Sequence, residues 1–148
     1  MSAAPATAPA RKLPKLEPET EFFWKSGADG QMRIQRCTAC GHWQQPPWPR
    51  CTQCHGEDVA PQPVSGRGRI ATYSINHEPW VPGLEVPFVF AAVELEEQAE
   101  LYVFTNILAP VDAVSRGMAV TVTFEHHEDV WLPMFVPAGA GSEGSADA

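Results

Sequence analysis

The sequence predicts a mainly β protein in which a short N-terminal helix and a metal-stapled ribbon are followed by a small five-stranded barrel. Three observations carry that prediction. Four cysteines form two CxxC pairs, Cys37/Cys40 and Cys51/Cys54, with the ten residues Gly41 to Arg50 between them. After Val64 the apolar residues recur with period two, the spacing that lines one face of a strand. A length of 148 residues fits one ordinary domain, or a small unit stapled by metal plus a second compact one.

A CxxC pair sets two thiolates on one tight turn, and a second pair facing it completes the four soft donors that tetrahedral zinc prefers. Cys37, Cys40, Cys51 and Cys54 are all the cysteines of the chain. The competing uses are two disulfides or one redox dithiol. Disulfides need an oxidising compartment, and no apolar leader opens the sequence, so a cytoplasmic chain with reduced thiols is expected. A redox CxxC normally stands alone beside a βαβ unit. Structural zinc is the expected cofactor, with iron as the competitor that four thiolates also suit. His42 and His55, each near a CxxC pair, are expected to be spectators; one of them replacing a cysteine in the ligand set is the minority arrangement.

Both tails are expected to lie outside the fold. Residues 1–18 hold Pro5, Pro9, Pro14 and Pro18 among alanines, and residues 138–148 read AGAGSEGSADA, so neither can bury a core. Residues 19–27 (ETEFFWKSG) predict a short helix with Glu17, Glu19 and Glu21 near its positive end and Gly27 as its stop. QMRIQR leads as a strand into Cys37, and HWQQPPWPR, too rich in proline for a helix, reads as an extended return. Trp43 and Trp48 are expected to shelter the metal or to pack on the neighbouring domain, because Trp beside a small metal site usually supplies its missing core.

The first long strand is RGRIATYSINH, in which Ile70, Thr72 and Ser74 alternate with Ala71, Tyr73 and Ile75. PFVFAAVEL (87–95) is apolar on both faces and should be central; EEQA (96–99) turns, and ELYVFTNIL (100–108) returns as its hairpin partner. PVDAVSRG (110–117) is a turn or a single helical turn. MAVTVTFEH (118–126) alternates cleanly, and VWLPMFV (130–136) is a last strand that Pro133 assigns to an edge. Five strands with a short insertion between the third and fourth fit a closed barrel of the OB type, with an open sandwich as the alternative. The organisation expected is therefore a helix and ribbon over 19–62 and a barrel over 63–137.

Net charge is -8, unevenly spread. Residues 1–60 carry seven Lys/Arg against six acids, and residues 61–148 carry three against twelve, a local balance of -9. Such a surface repels phosphate backbones, so nucleic acid is not the expected partner. No apolar run approaches the ~20 residues that span a bilayer, so no membrane association is expected.

The segments CTACGHWQQPPWPRCTQC (37–54) and SGRGRIATYSI (65–75), with the hairpin 87–107 and RGMAVTVTF (116–124), resemble a family of zinc-ribbon plus OB-fold proteins that accompany thiolases and thiolase-like acyl-CoA enzymes. The resemblance covers nearly all of 19–137 and implies a rubredoxin-like ribbon joined to an OB barrel. It implies a non-catalytic accessory subunit that binds a thiolase-fold enzyme subunit and helps form or shield the path of a CoA thioester at the shared interface. Aromatic acid degradation, steroid side-chain cleavage and archaeal isoprenoid precursor synthesis are settings in which similar proteins work.

The residues themselves offer no obvious catalytic centre. Acyl transfer needs an activated nucleophile, every cysteine is committed to the CxxC pairs, and no serine stands in a GxSxG elbow. Two polar clusters, Asn76–His77–Glu78 with Trp80 and His126–His127–Glu128–Asp129, sit in loops expected to open on one face of an OB barrel. A general base at His77 or His127, or a second metal, is the sharper use of them; solvated residues at a protein interface is the expected one. Phe23, Trp24, His77, Trp80, His127 and Trp131 are accordingly the candidate contacts to a partner or ligand, Trp80 foremost because flanking prolines hold it at small entropic cost. Arg67, Arg69 and Arg116 are the candidates for CoA phosphates. The competing functions are a single-strand nucleic-acid binder stacking bases on Tyr73, Phe88, Phe90, Tyr102 and Phe104, some of which must fill the core, and a stand-alone acyl-CoA hydrolase.

Overall fold

The computed structural model describes residues 13–79 and 85–138. Trp80 and most of both tails lie outside the described residues. Helix α1 (Glu21–Lys25) continues as a 3-10 turn, Ser26–Asp29, that ends at Gly30. The helical stop therefore falls three residues beyond the expected Gly27. Gly27 has a packing reason instead: a Cβ there would lie 2.6 Å from the Phe124 ring and from Trp131 Cβ. The packed part of the chain also begins before residue 19. Leu13, Leu16 and Trp24 lie against Val130, Leu132 and Met134, and apolar side chains with that much surface to bury outweigh the prolines between them.

The ribbon has three strands, β1 (Arg33–Cys37), β2 (Trp43–Gln44) and β3 (Val59–Pro63), in the order β2-β1-β3 and antiparallel throughout. Ile34 and Cys37 on β1 are fully buried. Val64 leads into the second unit, buried and held by its N–H to the Met32 carbonyl at 2.9 Å.

Strands β4 (Arg67–Asn76), β5 (Phe88–Leu95), β6 (Tyr102–Ile107), β7 (Ala119–His127) and β8 (Val130–Pro137) close a barrel in the order β4-β5-β6-β8-β7, with β7 returning to β4. This is the five-stranded OB barrel the alternation predicts; the open sandwich is excluded by the β4–β7 pairing. The insertion between the third and fourth strands is a single 3-10 turn at Val111–Ala113. Full closure abolishes edges, yet β8 retains part of the edge character that Pro133 suggests. It pairs with β7 along its whole length and with β6 at one parallel position, Ile107↔Phe135. Opposite Pro133, which has no N–H to give, the Thr105 hydroxyl donates to the Pro133 carbonyl at 2.9 Å.

Ile70, Val89, Val93, Leu95, Val103, Ile107, Val120 and Phe135 fill the barrel. Of the five aromatics proposed for base stacking, Tyr73 is half-buried and packs against this core, in line with the expectation that some must fill it. Phe90, Tyr102 and Phe104, by contrast, face outward on β5 and β6. The same apolar cluster takes in Phe23, Met32, Ile34 and Trp43, so ribbon and barrel share one core.

Candidate functional site

The two CxxC turns bring all four sulfurs within 4.8 Å of one another. Cys37 Sγ lies 3.7 Å from Cys54 Sγ, and Cys40 Sγ 3.6 Å from Cys51 Sγ. Zinc bound tetrahedrally at about 2.3 Å to sulfur separates its ligands by about 3.8 Å, so the four side chains fit that ion as they stand. Cys37 and Cys51 are buried while Cys40 and Cys54 face solvent. The site is thus closed on the protein side by one sulfur of each turn.

The turns are near copies. Gly41 and His55, each directly after the second cysteine, have left-handed φ of +85° and +67°, and their N–H groups donate to the Cys37 and Cys51 carbonyls at 2.8 and 2.9 Å. His55 therefore serves as a turn residue, one of the side chains that tolerate this conformation. His42 Nε2 meets Thr52 Oγ1 at 3.2 Å, and neither histidine joins the four-sulfur cluster.

Backbone amides aim at the sulfurs, as thiolate ligands require. The Cys40 N–H points at Cys37 Sγ at 3.4 Å, and the Gln53 and Cys54 N–H groups at Cys51 Sγ at 3.2 and 3.4 Å. The bond from the Cys40 amide holds the Cys37 thiol below its usual range. Burial pushes the Cys51 thiol up, but the Cys54 and Gln53 amides overcome it and bring it to about 7. At Cys40 the His42 amide favours the thiolate, while burial and the neighbouring thiols outweigh it and push the group up to about 12. Four thiols this close do not ionise together without a cation among them.

A polar network organises the loop between the turns. Gln44 Nε2 donates to Gln35 Oε1 at 2.6 Å and to the Arg50 carbonyl at 3.0 Å, and Gln35 Oε1 also accepts the Trp48 N–H at 2.9 Å. Thr52 donates both N–H and hydroxyl to Gln44 Oε1. Trp43 is buried in the shared core, with the Arg36 guanidinium 4.6 Å over its ring. Trp48, by contrast, is 57% exposed; the glutamine network holds its backbone, and the residue borders a surface groove with Cys51 and His55.

The other sequence-predicted residues are not assembled into one site. Phe23 is only 5% exposed and belongs to the core, with one side lining an apolar groove beside Trp24; Trp24 packs edge-on against it, ring centroids 4.8 Å apart. Trp131 stacks on His126 at 4.1 Å, and His127 Nε2 lies 3.0 Å from Glu125 Oε1. His77 is exposed at the end of β4. Strands β4 and β7 meet only at Arg67–Arg69 against Ala119–Thr121 and run antiparallel from there, which carries the His77 and His127 loops apart. The register thus sets the two loops toward opposite ends of the β4–β7 contact instead of on one face.

Arg67 and Arg69 point outward from β4. Arg67 pairs with Glu96 at 2.6 Å. Arg69 Nη1 donates to the Gly117 carbonyl at 3.0 Å and Arg116 Nε to the Ala71 carbonyl at 3.4 Å, so these two guanidiniums are anchored without an acidic partner among the described residues. Arg67 and Arg69 border a groove of about 370 Å³ with Glu94, Gln98 and Ala99. A second, more apolar groove of about 450 Å³ lies between Leu13, Trp24, Phe90, Phe104 and Met134, and Phe90 and Phe104 stack at 6.2 Å on its outer rim. Alternation alone did not reveal it, because both faces of 88–95 are apolar. No described helix is long and apolar enough to cross a membrane.

Known proteins share this arrangement. Residues 24–60 match the rubredoxin-like zinc ribbon domain of ChsH2, and residues 61–125 match the ChsH2 C-terminal OB-fold domain. The probable enoyl-CoA hydratase alpha subunit of Thermomonospora curvata is 33% identical over 129 residues, 86% of this chain. The chain spans 40% of the length of that relative. The benzoylsuccinyl-CoA thiolase subunit BbsA of Geobacter metallireducens is 30% identical over 123 residues, 76% of this chain and 80% of that subunit. A chain of the Ltp2–ChsH2(DUF35) aldolase superposes with a TM-score of 0.76 at 30% identity, covering 85% of this chain and 99% of its own.

Proposed function

Since the chain belongs to the ChsH2 family of paired zinc-ribbon and OB-fold domains, we propose that it is a non-catalytic subunit of a thiolase-type acyl-CoA enzyme. The observation that carries this reading is the overlap with 99% of a chain of the Ltp2–ChsH2(DUF35) aldolase. The chemistry agrees with it: the four thiols are gathered into one metal-type cluster, so no cysteine is left as an acyl-group nucleophile. Cys37, Cys40, Cys51 and Cys54 would hold zinc, which supplies folding energy here rather than a reactive water, because four protein ligands leave no open position.

Arg69 and Arg116 are the groups proposed to meet a CoA phosphate, with Arg67 joining them when Glu96 releases it. The acidic balance of residues 61–148 leaves most of that contact to the partner. Co-expression with the neighbouring reading frames should yield a complex of defined mass that contains a thiolase-fold subunit. In that complex Arg69→Glu with Arg116→Glu should raise KM for the CoA thioester and leave the mass unchanged. Failure of any thiolase-fold subunit to co-purify would remove the proposal.

A second reading draws on the outward Phe90, Tyr102 and Phe104, since aromatics on an OB sheet stack bases. Binding of a single-stranded oligonucleotide below micromolar concentration, weakening steeply with salt, would favour it over the first.

A further inference from the structure

Strand β2 has an edge that the ribbon does not use. Arg36 and Trp43 are partners in the β1–β2 ladder, and the Cys37 N–H donates to the His42 carbonyl at 2.8 Å. A bond one residue to the side marks Arg36–Trp43 as a non-hydrogen-bonded pair. The N–H and C=O of Trp43 therefore point away from β1, toward the barrel. A buried residue cannot leave both unpaired without cost, and one side chain meets both. The Trp43 N–H donates to Gln98 Oε1 at 3.0 Å, and Gln98 Nε2 donates to the Trp43 carbonyl at 2.8 Å. A primary amide donates and accepts in one plane, as a neighbouring strand would. Gln98 thus stands in for the missing strand, across 55 residues of sequence.

The hairpin that carries Gln98 is fastened at two further points by its preceding residues. Glu97 Oε2 accepts the Ser65 N–H at 2.8 Å. The Glu96 N–H donates to the Arg67 carbonyl at 3.1 Å, and its carboxylate pairs with the Arg67 guanidinium. On the ribbon side, Trp43 follows the first CxxC turn directly. Arg36, lying over the Trp43 ring, donates through Nε to the Gly41 carbonyl at 3.0 Å, and Gly41 is the residue after Cys40. The position of the Trp43 backbone is therefore set by the same turn that presents two metal ligands.

We propose that Gln98 is a positioning residue through which the β5–β6 hairpin senses whether the ribbon holds its metal. With four thiolates gathered on zinc, the turn fixes Trp43 and Gln98 locks the hairpin. Without the ion the turn relaxes, the two amide bonds fail together, and the hairpin opens. Because Gln98 also borders the groove beside Arg67 and Arg69, the metal state would reach that groove. The proposal rests on zinc in the ribbon and is independent of the partner enzyme.

Hydrogen exchange of the full chain, with zinc and after chelation, tests it. In the wild type, chelation should speed exchange of the Leu95, Glu96 and Leu101 amides by about tenfold or more while Val122 and Thr123 in β7, bonded to Gly66 and to β8, stay protected. In Gln98→Ala those hairpin amides should exchange fast with zinc still bound, and chelation should change them less than about twofold. Gln98→Glu, which keeps an acceptor for the Trp43 N–H but sets a carboxylate against its carbonyl, should sever the response in the same way. A wild-type hairpin indifferent to chelation, β7 amides lost together with the hairpin, or variants that respond as the wild type does would each overturn the proposal.

Discussion

At the centre of the ribbon lie the four clustered cysteines and the amides of Gln35 and Gln44, which bond to each other and to the Trp48, Arg50 and Thr52 backbone. At the centre of the barrel lie Ile70, Val89, Val93, Val120 and Phe135, all nearly or fully buried. Three short strands cannot enclose enough apolar surface to offset their own ordering entropy, so the ribbon relies on directed bonds. Five longer strands closed on themselves can enclose it, so the barrel relies on area. The difference teaches where each unit is fragile: the ribbon fails when one ligand or one amide is removed, the barrel when volume is.

The largest expected effect lies at the metal. Cys37→Ser should abolish zinc retention and remove on the order of 10 kcal/mol of metal-derived folding free energy; zinc content and near-UV circular dichroism check it. The ribbon should lose order while barrel amides in β7 stay protected. A variant that keeps its zinc would break the comparison at its root.

Phe135→Ala strikes the barrel instead. Phe135 is fully buried, and removing it should cost about 3–5 kcal/mol in urea unfolding with the zinc content of the purified chain unchanged. Gly27→Ala tests the seam, where a Cβ would press on Phe124 and Trp131. Overpacking there should cost about 1–3 kcal/mol, read as a lower urea midpoint.

The smallest effect concerns pH. Hydrogen bonding from Ser65, and then the Arg67 guanidinium, hold the Glu96 carboxyl below its ordinary value. A depressed value means the stabilisation is complete above the ordinary carboxylate range and is lost as pH falls through the lower, folded value. Because the pair is exposed, salt should screen it. Below about pH 4.5 the difference in stability between the wild type and Glu96→Gln should shrink. A difference independent of pH would remove the ion pair as its cause.

The metal ligands and the five barrel strands were legible in the sequence because their signals are local. CxxC spacing fixes two sulfurs on one turn, and period two fixes a strand, so Cys37 to Cys54 and the runs that became β4 to β8 needed no long-range knowledge. The outward side of β5 was hidden, since Phe88 and Phe90 look as core-like as Val89 and Val93. Gln98 was hidden more deeply: EEQA reads only as a turn, and nothing nearby announces that its amide completes a strand 55 residues away. Gly27 looked like a helical stop because its packing partners, Phe124 and Trp131, lie about a hundred residues further on. Trp80 lies outside the described residues.

Whether the chain assists a thiolase-type enzyme without performing its chemistry is decided by reconstitution. A thiolase-fold subunit that co-purifies with this chain is then prepared alone, and turnover of its CoA thioester is followed as zinc-loaded chain is added. The chain alone should turn over nothing, and partner activity should rise to saturation as the complex forms. A partner fully active without the chain, or turnover by the chain on its own, would contradict it.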